Sequence, residues 1–222
     1  MNLGIPVLQG PLRGKRWIAG SGNHGCWLGT YELSTVQRLA LTVQPGMTCL
    51  DIGANVGYYT LLFSKLTGPS GRVFAFEPLP ANGNYLRRHV RMNRCQNVRV
   101  FDLALTDFNG EAAFAEHENR SMGNLSNAGS LTVHCTTLET LLRDGEIETP
   151  HVLKIDVEGA ELAVLLGGRQ ILQAAKPFIF LATHGPEVHE ACCSFLKGIG
   201  YHLEPLDCHP VESSCEFLAV AQ

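Results

Sequence analysis

Residues 48–59 combine a carboxylate with two glycines at a spacing that suits a small-molecule site. An apolar run ends at Asp51, and the chain then turns through Gly53 and Gly57 into a predicted helix. Glycine lets the backbone approach a ligand closely, and the GxxxG spacing differs from the GxGxxG that packs a dinucleotide pyrophosphate against a helix. A carboxylate beside the turn repels a pyrophosphate and attracts a cation. The turn therefore favours S-adenosylmethionine (SAM), a nucleoside with a sulfonium and an ammonium group.

A second carboxylate has the position along the chain that a ribose-binding residue needs. Glu77 closes the apolar run that begins at Val73, twenty residues beyond Gly57. A carboxylate there can accept hydrogen bonds from both ribose hydroxyls of an adenosine, in NAD as in SAM. Either carboxylate could instead be structural, with Asp51 as a cap of the turn and Glu77 as a plain strand end. Both together favour a cofactor site, to which we assign Asp51, Gly53, Ala54, Asn55, Gly57, Tyr58, Tyr59, Glu77 and Pro78.

Three ionisable residues alternate along a later apolar run, Lys154, Asp156 and Glu158. Strand periodicity places them on one face. An unpaired charge in a buried strand is costly, so these residues must pair with one another or face a ligand cleft. A Lys154 to Glu158 ion pair is one interpretation; Asp156, nearest the expected cleft, is assigned to both the cofactor and the chemistry.

His184 follows the next apolar run and is the first candidate for a general base. In the usual strand order this run lies beside the one that carries Asp156 and Glu158, so the three side chains should meet. A histidine at the end of a central strand can take a proton from a substrate hydroxyl, and Asp156 is the second candidate. The three could instead hold a divalent metal. No dense ligand motif supports that alternative, and we predict no metal.

Alternating strands and helices must position these residues. The predicted strands are 47–52, 72–76, 97–103, 152–157, 178–183, 201–206 and 215–220, and the predicted helices are 34–43, 55–66, 80–93, 137–142, 160–174 and 187–199. Residues 1–30 show no sustained periodicity of either the helical or the strand kind and are predicted as an irregular arm. The remainder, 31–222, is predicted as one domain, with extra strands inserted at about 111–137 around a loop at 120–130.

This alternation predicts an α/β fold with a parallel sheet covered by helices on both faces. Ligands bind such sheets outside the carboxyl ends of the strands, where the strand order reverses, here between the first and fourth predicted strands. Only about eight residues join the last two strands. That is too few for a parallel crossover, so the final strand should be antiparallel.

Composition restricts the class of protein. The chain has 222 residues, 45% of them hydrophobic, and a formal charge of −4, so nucleic acid is not an expected partner. No apolar run reaches the roughly 18 residues of a membrane helix. Eight cysteines without a CxxC pair or a signal-like start favour reduced thiols in a cytoplasmic protein. A homo-oligomer is compatible with the sequence.

Four blocks resemble the FkbM family of SAM-dependent methyltransferases, from about Trp27 to the C-terminus. They are Leu28-Gly-Thr-Tyr-Glu32, Asp51-Ile-Gly-Ala-Asn-Val-Gly-Tyr-Tyr59, Ala104-Leu-Thr-Asp-Phe-Asn-Gly110 and Leu153-Lys-Ile-Asp-Val-Glu-Gly-Ala-Glu161. The second block is generic to class I methyltransferases, whereas the fourth, in order after the third, is more specific.

The resemblance implies a Rossmann-like class I fold with seven strands. It also implies O-methylation of a small molecule, often a sugar or polyketide hydroxyl, with S-adenosylhomocysteine (SAH) as a product. Tyr31 and Glu32 would reach the methionine end of SAM, and Ala104 and Leu105 would lie near the adenine. Members often carry a glutamate where this chain has Ala182. That departure weakens the metal alternative.

Three other functions stay open from the sequence. A nicotinamide-dependent oxidoreductase would share the ribose-binding carboxylate. A catalytically silent SAM-binding module would keep the fold without the transfer, although the intact Asp51, Glu77 and Asp156 argue against it. The acceptor could also be an RNA ribose or a protein side chain.

Overall fold

Short apolar runs form the strands of a computed structural model that describes residues 4–116, 123–125, 131–207, 209–211 and 214–222. The strands are β1 Ile5–Pro6, β2 Arg16–Trp17, β3 Thr48–Ile52, β4 Arg72–Phe76, β5 Val98–Phe101, β6 Ala104–Leu105, β7 Gly110–Glu116, β8 Gly123–Leu125, β9 Leu131–Thr136, β10 Val152–Ile155, β11 Phe178–Ala182, β12 Tyr201–Pro205 and β13 Glu216–Ala221. The helices are α1 His24–Leu28, α2 Leu33–Thr42, α3 Tyr58–Thr67, α4 Pro80–Met92, α5 Leu138–Arg143, α6 Glu161–Leu166, α7 Arg169–Ala175 and α8 Pro186–Gly198.

A seven-stranded sheet has the order β12-β13-β11-β10-β3-β4-β5. The five strands from β11 to β5 are parallel, whereas β13 is antiparallel to both of its neighbours. This confirms the predicted α/β class I fold with an antiparallel last strand. The strand order reverses between β3 and β10, as predicted, so the carboxyl ends of these two strands flank the expected ligand cleft.

Apolar side chains cover both faces of this sheet. On β3, Leu50 and Ile52 belong to one buried cluster, which includes residues of α5, α6, α7 and α8. Cys49 points to the opposite cluster, which includes residues of α2, α3 and the N-terminal segment. Alternation along a strand explains this division, since successive side chains point to opposite faces. The two layers hold the carboxyl ends of the strands in fixed relative positions.

The inserted region forms a second sheet of order β6-β9-β7-β8. The sequence predicted one pair of extra strands, whereas this sheet has four. Strand β8 lies within the predicted loop at 120–130, and β6 pairs with β9. The rest of that loop falls outside the described residues. Leu79 packs on this sheet with Val133 and Cys135, and so connects it to the end of β4.

Three predicted boundaries near the cleft were wrong. Helix α3 begins at Tyr58, since Gly57 immediately before it has a φ of +96°. The predicted helix 160–174 is broken at Gly167 and Gly168 into α6 and α7, and an added Cβ at Gly167 would lie 1.9 Å from the Thr106 carbonyl oxygen. Strand β10 ends at Ile155, so its alternation does not extend to Glu158.

The segment predicted as an irregular arm contains short regular elements. Strands β1 and β2 form an antiparallel pair, and α1 ends at Gly29 with a left-handed C-cap. Trp17 is fully buried and stacks on His89 of α4, with ring centroids 4.1 Å apart. His89 also accepts a hydrogen bond from the Ile18 N–H at 2.9 Å. These contacts fix the segment on the domain beside the cleft.

No disulfide bond joins any of the seven described cysteines, and Cys208 lies outside the described residues. No helix in the described part of the chain has the length and apolar character that a membrane span requires.

Candidate active site

A cavity of about 340 Å³ opens at the carboxyl ends of β3, β4 and β10. Small-molecule sites have volumes of this order. Four carboxylates and one ammonium contribute to its wall, namely Asp51, Glu77, Asp156, Glu158 and Lys154. The surplus of negative charge suits a cationic ligand and opposes a pyrophosphate.

The glycine turn is held against the ends of two neighbouring strands. The N–H groups of Gly53 and Ala54 both donate to the Phe76 carbonyl at the end of β4, at 3.0 and 2.9 Å. Gly53 has a φ of +80°, and a Cβ there would lie 1.9 Å from the Asp156 carbonyl oxygen. Only glycine permits this approach, so Gly53 brings the β3 turn against the residue that follows β10.

Glu77 is buried where β4 ends and organises the backbone around it. Its Oε2 accepts from the Asn55 N–H at 2.8 Å, and its Oε1 accepts from the Leu79 N–H at 2.9 Å. The Asn82 amide lies 3.4 Å from the same Oε1. A carboxylate has about four acceptor positions, so Glu77 retains capacity for ligand hydroxyls. Burial raises the pKa of Glu77 to about 7 despite these hydrogen bonds.

Asp51 lies at the end of β3 and is almost completely buried. It accepts a hydrogen bond from the hydroxyl of Thr60 in α3. Burial raises the pKa of Asp51 to about 6, although the Thr60 hydroxyl and the Lys154 ammonium both oppose the rise. The cavity therefore contains a carboxyl group whose ionised form a bound cation would stabilise.

These two carboxyls make the unliganded protein less stable as the pH rises. The ordinary pKa values are 3.8 for Asp51 and 4.5 for Glu77. Each folded-state pKa is higher, so the stabilisation is complete below the ordinary value and is lost as the pH rises through about 6 and about 7. We expect the loss between pH 4.5 and 7.5 to be smaller by about 2 kcal/mol in Asp51→Asn and by about 3 kcal/mol in Glu77→Gln.

Urea unfolding of wild type and both variants at several pH values measures this difference. A Glu187→Gln variant, which changes an exposed carboxyl on α8, is the control and should match wild type. Equal pH dependence in all four proteins would show that neither buried carboxyl titrates as described.

Lys154 is a buried cation that faces the cavity from β10. Its Nζ lies 3.2 Å from Asp156 Oδ2 and 5.2 Å from the centre of the Tyr59 ring. Burial alone would lower the pKa of Lys154, but the Asp156, Glu32 and Glu216 carboxylates outweigh it and raise that pKa. In the structure Lys154 forms an ion pair with Asp156, whereas one interpretation of the sequence suggested Glu158 as its partner. Lys154 and His184 in turn lower the pKa of Asp156 against the effect of burial.

His184 follows β11 and meets three carboxylates, as the strand order predicted for two of them. Its Nε2 lies 3.4 Å from Glu158 Oε2 and 3.7 Å from Asp156 Oδ1. Its Nδ1 lies 2.7 Å from Oε1 of Glu161, a fully buried residue of α6. Glu158 has a φ of +56°, a conformation uncommon for a residue with a side chain. Since Asp156 and Glu158 also line the cavity, His184 lies at its rim.

Asp156, Glu158 and His184 each have a ligand atom within 4.8 Å of the others, a spacing that a divalent cation could bridge. The Lys154 ammonium already pairs with Asp156 and would repel such a cation. We assign no metal to this cluster.

Most of the predicted residues line the cavity. They are Tyr31, Asp51, Gly53, Ala54, Asn55, Tyr58, Tyr59, Glu77, Pro78, Ala104, Leu105, Asp156 and Glu158. Three others lie around it. Gly57 caps α3 and packs against Leu86, Glu32 accepts a hydrogen bond from the Tyr59 hydroxyl, and His184 contacts the cavity wall through Asp156 and Glu158.

Sequence reasoning missed several lining residues and one buried partner. Gly22, Asn23 and Cys26 come from the N-terminal segment, Asn82 comes from α4, and Glu161 lies behind His184. A glutamate in the first turn of a helix normally suggests only a favourable interaction with the helix dipole. No local pattern distinguishes Glu161 from that ordinary case.

Comparison with known proteins identifies relatives that match most of the chain. A family model described as "Methyltransferase FkbM domain" matches residues 51–203. The hexuronic acid methyltransferase AglP of Haloferax volcanii is 30% identical over 137 residues, which cover 60% of this chain and 54% of AglP. The 2-O-methyltransferase NoeI of Sinorhizobium fredii is 27% identical over 176 residues, with 69% of this chain and 70% of NoeI covered. The chain thus spans about half the length of the first relative.

A solved structure supports the fold. The chain superposes on a methyltransferase FkbM from Methylobacillus flagellatus with a TM-score of 0.57 at 16% identity, and the match covers 90% of this chain and 55% of that one. At that identity the likeness establishes shared architecture.

Proposed function

The chain belongs to the FkbM family of methyltransferases, and on that premise we propose that it transfers a methyl group from SAM to a hydroxyl oxygen of a small molecule. The observation that carries this proposal is the acidic cavity at the β3/β10 switch point with His184 at its rim. Carboxylates suit the cationic donor, and a histidine suits removal of the hydroxyl proton.

The residues of the cavity fit SAM. Glu77 has acceptor capacity for the ribose hydroxyls, and Ala104 and Leu105 offer apolar surface next to the same wall. Asp51 and Asp156 contribute negative charge that would attract the sulfonium and ammonium groups, and Tyr31 and Tyr59 add aromatic faces. When bound, SAM supplies an electrophilic methyl group that an oxygen nucleophile can attack. The chain's own contribution is to hold that nucleophile in line and remove its proton.

His184 is the proposed general base, with Asp156 as the second candidate. A neutral hydroxyl is a poor nucleophile, so removal of its proton during attack lowers the barrier. The pKa of His184 is raised, chiefly by the hydrogen bond with Glu161 and further by Glu158 and Asp156, while burial opposes the rise. A stronger base accepts the proton more readily once it is neutral. The pKa of Asp156 is lowered, which makes that carboxylate the weaker base.

A hydroxyl acceptor agrees with the relatives. NoeI is named a 2-O-methyltransferase and AglP a hexuronic acid methyltransferase. We therefore propose that this chain also methylates an oxygen atom, and sugars are the first class of acceptor to test. The match to a methyltransferase domain gives no support to a nicotinamide-dependent oxidoreductase. The intact acidic wall and His184 favour an active enzyme over a silent module.

Transfer of labelled methyl groups tests the proposal. Wild-type protein is incubated with methyl-labelled SAM and a panel of sugars and uronic acids, and the products are separated and counted. We expect label in a methyl ether of at least one hydroxyl compound. Label found only in RNA or only in protein would show that the acceptor is a macromolecule and not a small hydroxyl compound. Binding of SAH without any methyl transfer would favour the silent module.

Replacement of Glu77 should weaken cofactor binding. In Glu77→Ala we expect affinity for SAH to fall by about 1–3 kcal/mol, because ribose hydroxyls lose their acceptor and the Asn55 and Leu79 N–H groups lose theirs. Isothermal titration calorimetry measures the change. Asp102→Ala is the control, since Asp102 lies just beyond β5 with 61% side-chain exposure. Equal affinity in Glu77→Ala and wild type would exclude Glu77 as a ribose ligand.

Removal of metal ions should leave turnover unchanged. Lys154 already neutralises Asp156 at 3.2 Å, so the acidic cluster does not require a divalent cation. Turnover is measured before and after EDTA treatment, and again with added Mg²⁺. A loss with EDTA that Mg²⁺ restores would make Asp156, Glu158 and His184 metal ligands and would contradict the role of His184 as base.

A further inference from the structure

A fully buried carboxylate that is not among the cavity-lining residues lies behind His184. Glu161 begins α6 and its side chain is 0% exposed. Its Oε1 accepts a hydrogen bond from the Gly159 N–H at 3.0 Å and lies 2.7 Å from His184 Nδ1. Its Oε2 has no hydrogen-bond partner among the described residues. A buried carboxylate is costly without strong partners, so its close pairing with His184 needs a reason.

The distances around the imidazole determine which nitrogen has the proton. The contact between Nδ1 and Glu161 is a short hydrogen bond at 2.7 Å. On the other side, Nε2 is 3.4 Å from Glu158 and 3.7 Å from Asp156, beyond the usual limit of about 3.2 Å. A neutral imidazole has one N–H, and a carboxylate can only accept. The proton therefore resides on Nδ1, and Nε2 presents its lone pair toward the cavity side.

We propose that Glu161 is the positioning residue of His184, holding its proton on Nδ1 so that Nε2 can take the proton of the acceptor hydroxyl. This inference rests on the proposed function. The lone pair of Nε2 forms the new N–H bond, and the electrons of the broken O–H bond stay on the oxygen that receives the methyl group. The resulting imidazolium has Glu161 on one side and Asp156 and Glu158 on the other until the proton passes to water.

Carboxylates from two neighbouring segments face the imidazole. Glu161 faces the imidazole from α6, and Asp156 and Glu158 face it from the segment after β10. A cation also borders this group, since Lys154 Nζ lies 3.2 Å from Asp156 Oδ2. The hydrogen bond with Glu161 is the largest cause of the raised pKa of His184. That hydrogen bond is made to a carboxylate, so replacement of the Glu161 carboxylate by a neutral group should lower that pKa.

Nitrogen NMR of histidine tests the pair without any substrate. Protein labelled with ¹⁵N at its histidine rings is titrated with acid, and the His184 signals are identified by their absence in His184→Ala. Wild type should show neutral His184 with the proton on Nδ1. In Glu161→Gln the amide oxygen can keep that hydrogen bond, so the tautomer should persist while the pKa falls. In Glu161→Ala the tautomer should become mixed. His189, whose Nδ1 lies 2.9 Å from the Thr183 hydroxyl, is the internal reference for the fold.

Turnover supplies a second readout. The acid limb of the pH profile of kcat/KM should move to lower pH in Glu161→Gln, and kcat at the optimum should fall by about tenfold or more. Because Glu161 acts through His184, the double variant His184→Ala/Glu161→Ala should be no slower than His184→Ala alone. A purely structural role would lower the active fraction without moving the limb.

Two results would overturn the inference. One is a neutral wild-type His184 with its proton on Nε2, a measurement that needs no variant even if Glu161 variants fail to fold. The other is an unchanged pKa of His184 in a folded Glu161→Gln protein. A confirmed tautomer together with no methyl transfer to any acceptor would instead reject the proposed function and leave the pair intact.

Discussion

Replacement of His184 by alanine is expected to lower turnover by about 10²-fold or more while SAH binds nearly as tightly as to wild type. The imidazole Nε2 lies 3.4 and 3.7 Å from two carboxylates of the cavity wall, so it is placed to meet an acceptor there. His184 itself is not among the residues that line the cavity, so cofactor affinity should not depend on it.

Steady-state kinetics and calorimetry with SAH separate the two effects. His202→Ala is the matched control, because His202 is exposed on β12 at the far edge of the sheet. Unchanged turnover in His184→Ala would remove His184 from the mechanism and transfer the role of base to Asp156. A parallel loss of SAH affinity would show that His184 belongs to the cofactor site.

Alanine at Gly53 is expected to destabilise the fold by several kcal/mol and to lower SAH affinity at least about tenfold. The new Cβ would lie 1.9 Å from the Asp156 carbonyl oxygen and 2.8 Å from its carbon. Backbone cannot rotate away as the end of a side chain can, so the β3 turn and the segment after β10 must separate. Asp51 and Asp156 would then lose their common geometry around the ligand.

Gly14 provides a control for the conformational part of this effect. Its φ is +84°, close to the +80° of Gly53, but an added Cβ there meets no atom within 4 Å among the described residues. In Gly14→Ala only the strain of the left-handed backbone should appear, as a loss of about 1–2 kcal/mol in the free energy of unfolding. Urea unfolding compares the two variants. Equal losses would mean that the turn relaxes around the new methyl group and that the close approach is not required.

The sheet could be predicted from sequence because its signals are local. Near-continuous apolar runs such as 178–182 mark strands buried on both faces, and the short connection before β13 fixes its direction. Glu77 and His184 could be placed because each ends such a run, and the carboxyl ends of parallel strands share one edge. Their meeting with the glycine turn follows from strand order alone.

The remainder of the site depends on contacts between distant parts of the chain. The start of α3 shifts because Asn55 and Gly57 both have positive φ, which the helical pattern of the sequence does not reveal. Asn23 reaches the cavity because Trp17 fixes the N-terminal segment against α4. The burial of Glu161 depends on helix packing that no local pattern records.

A binding titration of wild-type protein with SAH and, in a separate cell, with NADH distinguishes a methyltransferase site from a dinucleotide site. We expect saturable one-to-one binding of SAH that SAM displaces, and no heat from NADH, because the acidic wall formed by Asp51, Asp156 and Glu77 accepts a cation and repels a pyrophosphate. Binding of NADH without binding of SAH would contradict this expectation.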